Sequence, residues 1–282
     1  MNLRHRIGFM QGRLVDTVNG RIQAFPASQW REEFPAAQSL GLNRMEWTLD
    51  AEGLSANPFC SASGRDEIRQ LGKRYAVKVD TVTGDCFMQR PFWKAKGAEI
   101  EDRLEDLDLV IRSAASLGLR HIVIPLVDNG SLECTEQELL LVERLVERLD
   151  FMRSAGLGIA FESDFPPQSL ARFIKNLPDD VFGINYDIGN SASLDFDPSE
   201  EFFAYGHRIV NVHIKDRMRD GTTVPLGQGN ADFDAVFRHL ASCQYDGLLI
   251  LQTARASEHS HAKTLGQYLD FTLSLMSRHL GS

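Results

Sequence analysis

Short apolar runs rich in Val, Ile, Leu and Phe recur along the chain, and between them lie longer segments whose apolar residues return every three or four positions. Runs of that length suit strands buried on both faces, and a period near 3.6 suits helices covering them. The alternation predicts repeated βα units around a parallel sheet. Eight strands are predicted, at 6–12, 44–49, 76–81, 121–127, 158–163, 182–188, 209–215 and 247–252.

The segments between them carry helix punctuation. Thr135 with Glu138 reads as a capping box opening a helix to about residue 155, which Gly156 stops. Asp197, Pro198 and Glu200 predict a second start, and Asp232 before Phe233, Val236, Phe237 and Leu240 a third. Ser39-Leu40-Gly41-Leu42, Ser116-Leu117-Gly118-Leu119 and Ser154-Ala155-Gly156-Leu157 each place a helix-ending glycine before a strand. No low-complexity linker divides the chain, and no glycine-rich fingerprint follows the first strand. The expectation is one α/β domain over 1–282, a (β/α)8 TIM barrel rather than a doubly wound open sheet.

The net charge of −9 sets a long-range field that repels polyanions, which argues against a nucleic-acid partner. Cys60, Cys86, Cys134 and Cys243 are scattered without a CxxC pair, so neither a disulfide framework nor a zinc knuckle is expected, and a reducing cytoplasm is the expected location. The opening MNLRHRIGFMQGRL lacks the apolar core of a secretory signal, and no run approaches the roughly 20 apolar residues of a membrane span.

In a closed barrel the chemistry sits at the C-terminal ends of the strands. Four successive strands end in polar groups: GIAFESD with Glu162, FGINYDIGN with Asp187, IVNVHIKDR with His213 and LLILQTAR with Gln252. Alternation along a strand puts Ala160 with Glu162, Asn185 with Asp187, and Asn211 with His213 and Lys215. Taken singly, Glu162 and Asp187 read equally as helix caps and His213 as a hydrogen-bonded core histidine. At matching strand ends they converge, and converging carboxylates in a dry rim repel one another unless a cation sits among them. Two carboxylates, an imidazole and an amide oxygen suit one divalent metal ion, Mn²⁺ first, with Zn²⁺, Mg²⁺, Fe²⁺ and Co²⁺ also compatible.

The motifs ESD, YDIGN, VHIKD and VPLGQGNADF, with GFMQGRL, REEF and GLNRMEW upstream, resemble the sugar phosphate isomerase/epimerase family with the xylose isomerase-like barrel. The resemblance spans nearly the whole chain. It implies metal ligands at Glu162, Asp187, His213 and Gln252, with Glu162 and Gln252 as the acid/base pair of a ketose epimerase. Position 252 departs from that pattern, because the family has Glu there, and an amide offers an oxygen to a metal but takes no proton at neutral pH. One-base isomerisation with Glu162 survives the departure, as does epimerisation with another second group. Glu46 stands open between that role and a buried carboxylate paired with an arginine. The resemblance also implies homo-oligomers.

Arg13 follows the first predicted strand, Lys215 and Arg217 follow His213, Arg219 lies in the next loop and Arg255 follows the last strand; each suits a phosphate or sugar acid, or else is a solvated loop charge. Phe9, Trp47 and Phe165 are candidate apolar walls of a sugar pocket, or core. The leading expectation is therefore a metal-dependent isomerase or epimerase of a sugar or sugar phosphate working through an enediolate. A lyase of keto-polyols uses the same enolate, a non-catalytic sugar-binding barrel is the reading Gln252 favours, and a nuclease of abasic DNA conflicts with the charge.

Overall fold

The computed structural model describes residues 3–256 and 260–281. Its main sheet consists of eight parallel strands: β1 (Ile7–Met10), β2 (Arg44–Thr48), β3 (Lys78–Thr83), β4 (His121–Leu126), β5 (Gly158–Ser163), β6 (Phe182–Asp187), β7 (Ile209–Ile214) and β10 (Leu248–Leu251). They close in the order β1-β10-β7-β6-β5-β4-β3-β2, with helices packed outside. After β7 the chain makes a two-stranded antiparallel ribbon, β8 (Asp216–Arg217) with β9 (Thr223–Val224), which the sequence pattern does not predict.

Burial along the strands is nearly continuous, as helix-covered parallel strands require. The third strand starts two residues later than its apolar run because Ala76 adopts a left-handed conformation (φ 54°) that caps the helix Ala62–Tyr75. Gly41, Gly118 and Gly156 do take the left-handed stop, at φ 69°, 70° and 64°. Asp197 and Asp232 cap as expected, accepting from Ser199 N and Ala235 N. Thr135 does not cap. Cys134 precedes the helix Thr135–Val146 without a side-chain cap, and Glu138 instead holds Arg172 through two hydrogen bonds at 2.8 Å. That helix breaks before a second one, Leu149–Ala155, where Arg148 leaves helical geometry.

Two register shifts position the site. Between β6 and β7 the pairing jumps from Ile184↔Ile209 to Asn185↔Asn211, which sets Asp187 beside His213 instead of Val212. Between β2 and β3 it jumps from Met45↔Val79 to Glu46↔Thr81, which sets Glu46 beside a hydroxyl and turns Asp80 out to Arg44 and Lys78. Such bulges re-aim side chains at functional rims. On the inner face Leu248 and Ile250 pair with Asn211 and His213 and join Met10 in a buried apolar group of their own.

Candidate active site

Glu162, Asp187 and His213 come from three adjacent strands and are all buried, with one ligand atom of each within 4.8 Å of the others. His213 Nδ1 lies 3.1 Å from Glu162 Oε2 and 3.8 Å from Asp187 Oδ2. Its Nε2 faces Glu46 Oε1 at 2.8 Å. Glu46 in turn accepts from Thr81 Oγ1 (2.7 Å), Thr83 Oγ1 (2.5 Å) and Asn211 Nδ2 (3.0 Å). Glu46 is thus buried and paired with a histidine, two hydroxyls and an amide, and among the described residues no arginine pairs with it. Burial penalises its charge, but His213 and the hydroxyl donors outweigh that and lower its pKa. Burial likewise disfavours the His213 imidazolium, yet Glu46, Asp187 and Glu162 raise it well above the ordinary value.

The YDIGN motif does several jobs in one turn. Asp187 ends β6 and caps the helix Ile188–Ser193 through Asn190 N at 2.8 Å. A Cβ on Gly189 would stand 2.7 Å from Lys215 Cγ, so the glycine lets β7 pass close by. Asn190 then donates to Glu162 Oε1 at 2.7 Å and accepts from Lys215 Nζ and Arg217 Nη1. Asn185 holds the other oxygen, Glu162 Oε2, at 2.7 Å. Burial raises the Asp187 carboxyl, but Lys215 at 3.1 Å and His213 outweigh it, and the group is held at about 2.

Above these residues opens a cavity of about 680 Å³, whose lining includes Glu162, Lys215, Gln252, Asp85, Arg217 and Thr222. Gln252 Oε1 meets the site through Lys215 Nζ, at 3.4 Å. The arginines proposed from sequence separate into two groups. Arg217 lines the cavity, with its guanidinium braced on the Gly221 carbonyl. Arg13 and Arg255 spend their donors on loop carbonyls, Thr253 and Ile22 for the first, Gly12 and Val15 for the second, and Arg219 pairs with Asp195. None of those three lines the cavity. Phe9 and Trp47 are core residues without exposure, and Phe165 packs edge-on against Phe173.

The stretch after His213 is tied down by Asp216. Its Oδ2 accepts from Gly227 N and Gly229 N at 2.8 and 2.9 Å, and its Oδ1 from Ala231 N at 3.2 Å. A Cβ on Gly229 would strike that carboxylate, so HIKD and PLGQGNA form one folded unit that sets Arg217 and Thr222 on the rim. Sequence reasoning passed over Asn190 and Asp85. The first was legible in DIGN; the second carries no motif.

Buried anionic oxygens beside an imidazole whose far nitrogen is anchored on a carboxylate are the donor set of a divalent cation, and the group Glu162, Asp187 and His213 fits one. A family model described as xylose isomerase-like TIM barrel matches residues 34–273. The chain is 24% identical over 271 residues to the L-ribulose-5-phosphate 3-epimerase UlaE of Salmonella paratyphi A, covering 91% of this chain and 93% of that protein. Among solved structures, a xylose isomerase-like TIM barrel protein from Mycobacterium smegmatis in complex with magnesium aligns with TM-score 0.70 at 20% identity, over 97% of both chains. The IOLI protein with a bound zinc atom aligns with TM-score 0.71 at 16% identity, over 97% of this chain and 99% of that one.

Proposed function

Because this chain belongs to the xylose isomerase-like TIM-barrel family, we propose that it is a divalent-metal-dependent sugar isomerase or epimerase that enolises a ketose or ketose phosphate, with Glu162 as the base. The observation that carries the reading is the meeting of Glu162, Asp187 and His213 under a cavity of sugar size. Glu162, Asp187 and His213 would hold the cation, with Gln252 adjoining through its amide oxygen. Bound there, the ion supplies Lewis acidity that polarises a carbonyl and acidifies the neighbouring C–H.

The chain's own residues supply the rest. Asn185 and Asn190 fix both oxygens of Glu162, so the base meets the substrate carbon in one orientation. Glu46 orients the His213 ring and leaves Nδ1 directed at the carboxylates. Lys215 and Arg217 put positive charge on one wall, suited to a substrate's phosphate or to charge developing on its oxygen. The test is elemental analysis of the purified protein against a Glu162→Ala, His213→Ala double variant, followed by ketose exchange in D₂O. One metal per chain that vanishes in the variant, with deuterium entering beside the carbonyl, is the expected result. Failure to take up Mn²⁺, Zn²⁺ or Mg²⁺ at any pH would remove the basis of this reading.

A further inference from the structure

We infer that Asp85 is the second acid/base group of this site, exchanging a proton with the face of the sugar that Glu162 does not serve; the inference rests on the enolising role proposed for Glu162. Inversion at carbon requires a proton taken from one face and another given to the opposite face, and Gln252 cannot give one. The other carboxylates in or beside the site are committed or exposed. Asp187 is held by Lys215 and by Asn190 N, Glu46 by His213 and two threonines, and Asp164 by Ser131. Asp128 stands exposed on the rim.

Asp85 differs from all of them. It opens the short helix Asp85–Gln89 directly after β3, two strands around the barrel from β5, and lines the same cavity as Glu162. Its residue is only 7% exposed, and among the described residues no hydrogen bond or ion pair engages its carboxyl. An unpartnered buried carboxyl is costly to keep, and this one lines the cavity. The groups around it are Asp50, Glu162, His213 and Lys215. Burial, with Asp50 and Glu162, outweighs the two cations and pushes the carboxyl up to about 8.

The step balances. The Glu162 carboxylate takes the proton from the carbon beside the carbonyl. The C–H pair forms the enediolate double bond while the carbonyl pair moves to oxygen. The Asp85 O–H then breaks, and its proton joins the opposite face of that carbon as the enediolate pair forms the new C–H bond. Asp85 is left as carboxylate and Glu162 as acid, and one proton exchanged with water resets both. In the reverse direction the roles swap.

The experiment uses the Mn²⁺-loaded protein in D₂O, with L-ribulose 5-phosphate and D-fructose as probes, and follows deuterium entry at the carbon beside the carbonyl and formation of the epimer by NMR. Asp85→Asn should keep deuterium entry, which needs only Glu162, and lose epimer formation by about 10²-fold or more. Asp85→Glu should recover part of it. In the metal-free protein at pH 7, protonated-carboxyl infrared absorption should be stronger in wild type than in Asp85→Asn, where buried Glu33 still contributes. Epimerisation at the wild-type rate in Asp85→Asn, or equal carboxyl absorption in the two proteins, overturns the inference alone. Equal loss of deuterium entry and epimerisation in a variant that still melts cooperatively also overturns it. Wild-type protein that neither exchanges nor epimerises the probes brings down the enolising reading, and this inference with it.

Discussion

At the scale of single residues, His213 is held by a carboxylate that lies outside the cavity lining. Glu46 reaches no cavity, yet its Oε1 anchors His213 Nε2 while two threonines and Asn211 anchor Glu46. Outer partners of this kind fix the ring and raise its basicity, and losing one typically costs about 10–100-fold in metal affinity. Glu46→Gln is isosteric and can still accept one hydrogen bond, so it isolates the loss of charge from the loss of volume. Titration with Mn²⁺ should show binding weakened by about tenfold or more with the stoichiometry unchanged. Equal affinity in the two proteins would show that Glu46 serves only to fill the core.

At the scale of elements, alternation along β6 gives one strand two functions. Asn185 and Asp187 face the site, while Tyr186 faces out and donates to Glu201 Oε2 at 2.7 Å. Glu201, on the helix Pro198–Tyr205, also accepts from Ser191 Oγ at 2.7 Å and Tyr205 Oη at 2.6 Å. This carboxylate therefore fastens an outer helix to both β6 and the short helix that carries Asn190. Glu201→Ala strands three hydroxyls, two of them buried tyrosines, and each buried unsatisfied group costs about 1–3 kcal/mol. Urea unfolding should register a loss of about 2 kcal/mol or more, with Glu201→Gln intermediate because its amide oxygen still accepts. A loss under about 0.5 kcal/mol for the alanine variant would put the tie elsewhere.

Elements differ in how much of this arrangement the sequence carries. Strands β5, β6 and β7 announce themselves by apolar runs ending in Glu, Asp and His, because burial on both faces leaves polarity only at the rim. The shifts at Ile184/Asn185 and Met45/Glu46 change no periodicity, so the partners they create, Asp187 with His213 and Glu46 with Thr81, were invisible. The capping box at Thr135 failed because Glu138 is used by Arg172, a tertiary partner that no local pattern contains. Arg13 and Arg255 looked like anion ligands because they follow strands, but long side chains can turn back, and these fold onto loop carbonyls. Asp85 follows Thr83-Gly84 without a signature, and only the closed barrel brings it to the same cavity as Glu162.

For the whole molecule, buried acids make stability depend on pH in a direction opposite to the usual carboxylate pattern. Burial pushes Glu33 up to about 7 against two backbone donors, Gly12 N and Leu14 N, and against Arg255 and Arg13. Burial with neighbouring acids pushes Asp85 up to about 8. The unfolded chain sheds both protons near pH 4, whereas the folded chain holds them until those higher values. Between the two limits the native state binds more protons, so stability falls as pH rises and the contribution is fully present only below the unfolded values. Metal ligands behave in the converse way, since they must be deprotonated to bind, and a cation at 100 times its dissociation constant adds about 2.7 kcal/mol. Melting curves in EDTA should therefore drop from about pH 5 to about pH 8.5, while the gain on adding Mn²⁺ widens over the same range. Asp85→Asn should remove the upper part of the EDTA decline and leave the part due to Glu33. A wild-type EDTA profile that stays flat across this range would mean that both carboxyls ionise at ordinary pH, and that neither buried group carries a proton into the neutral range.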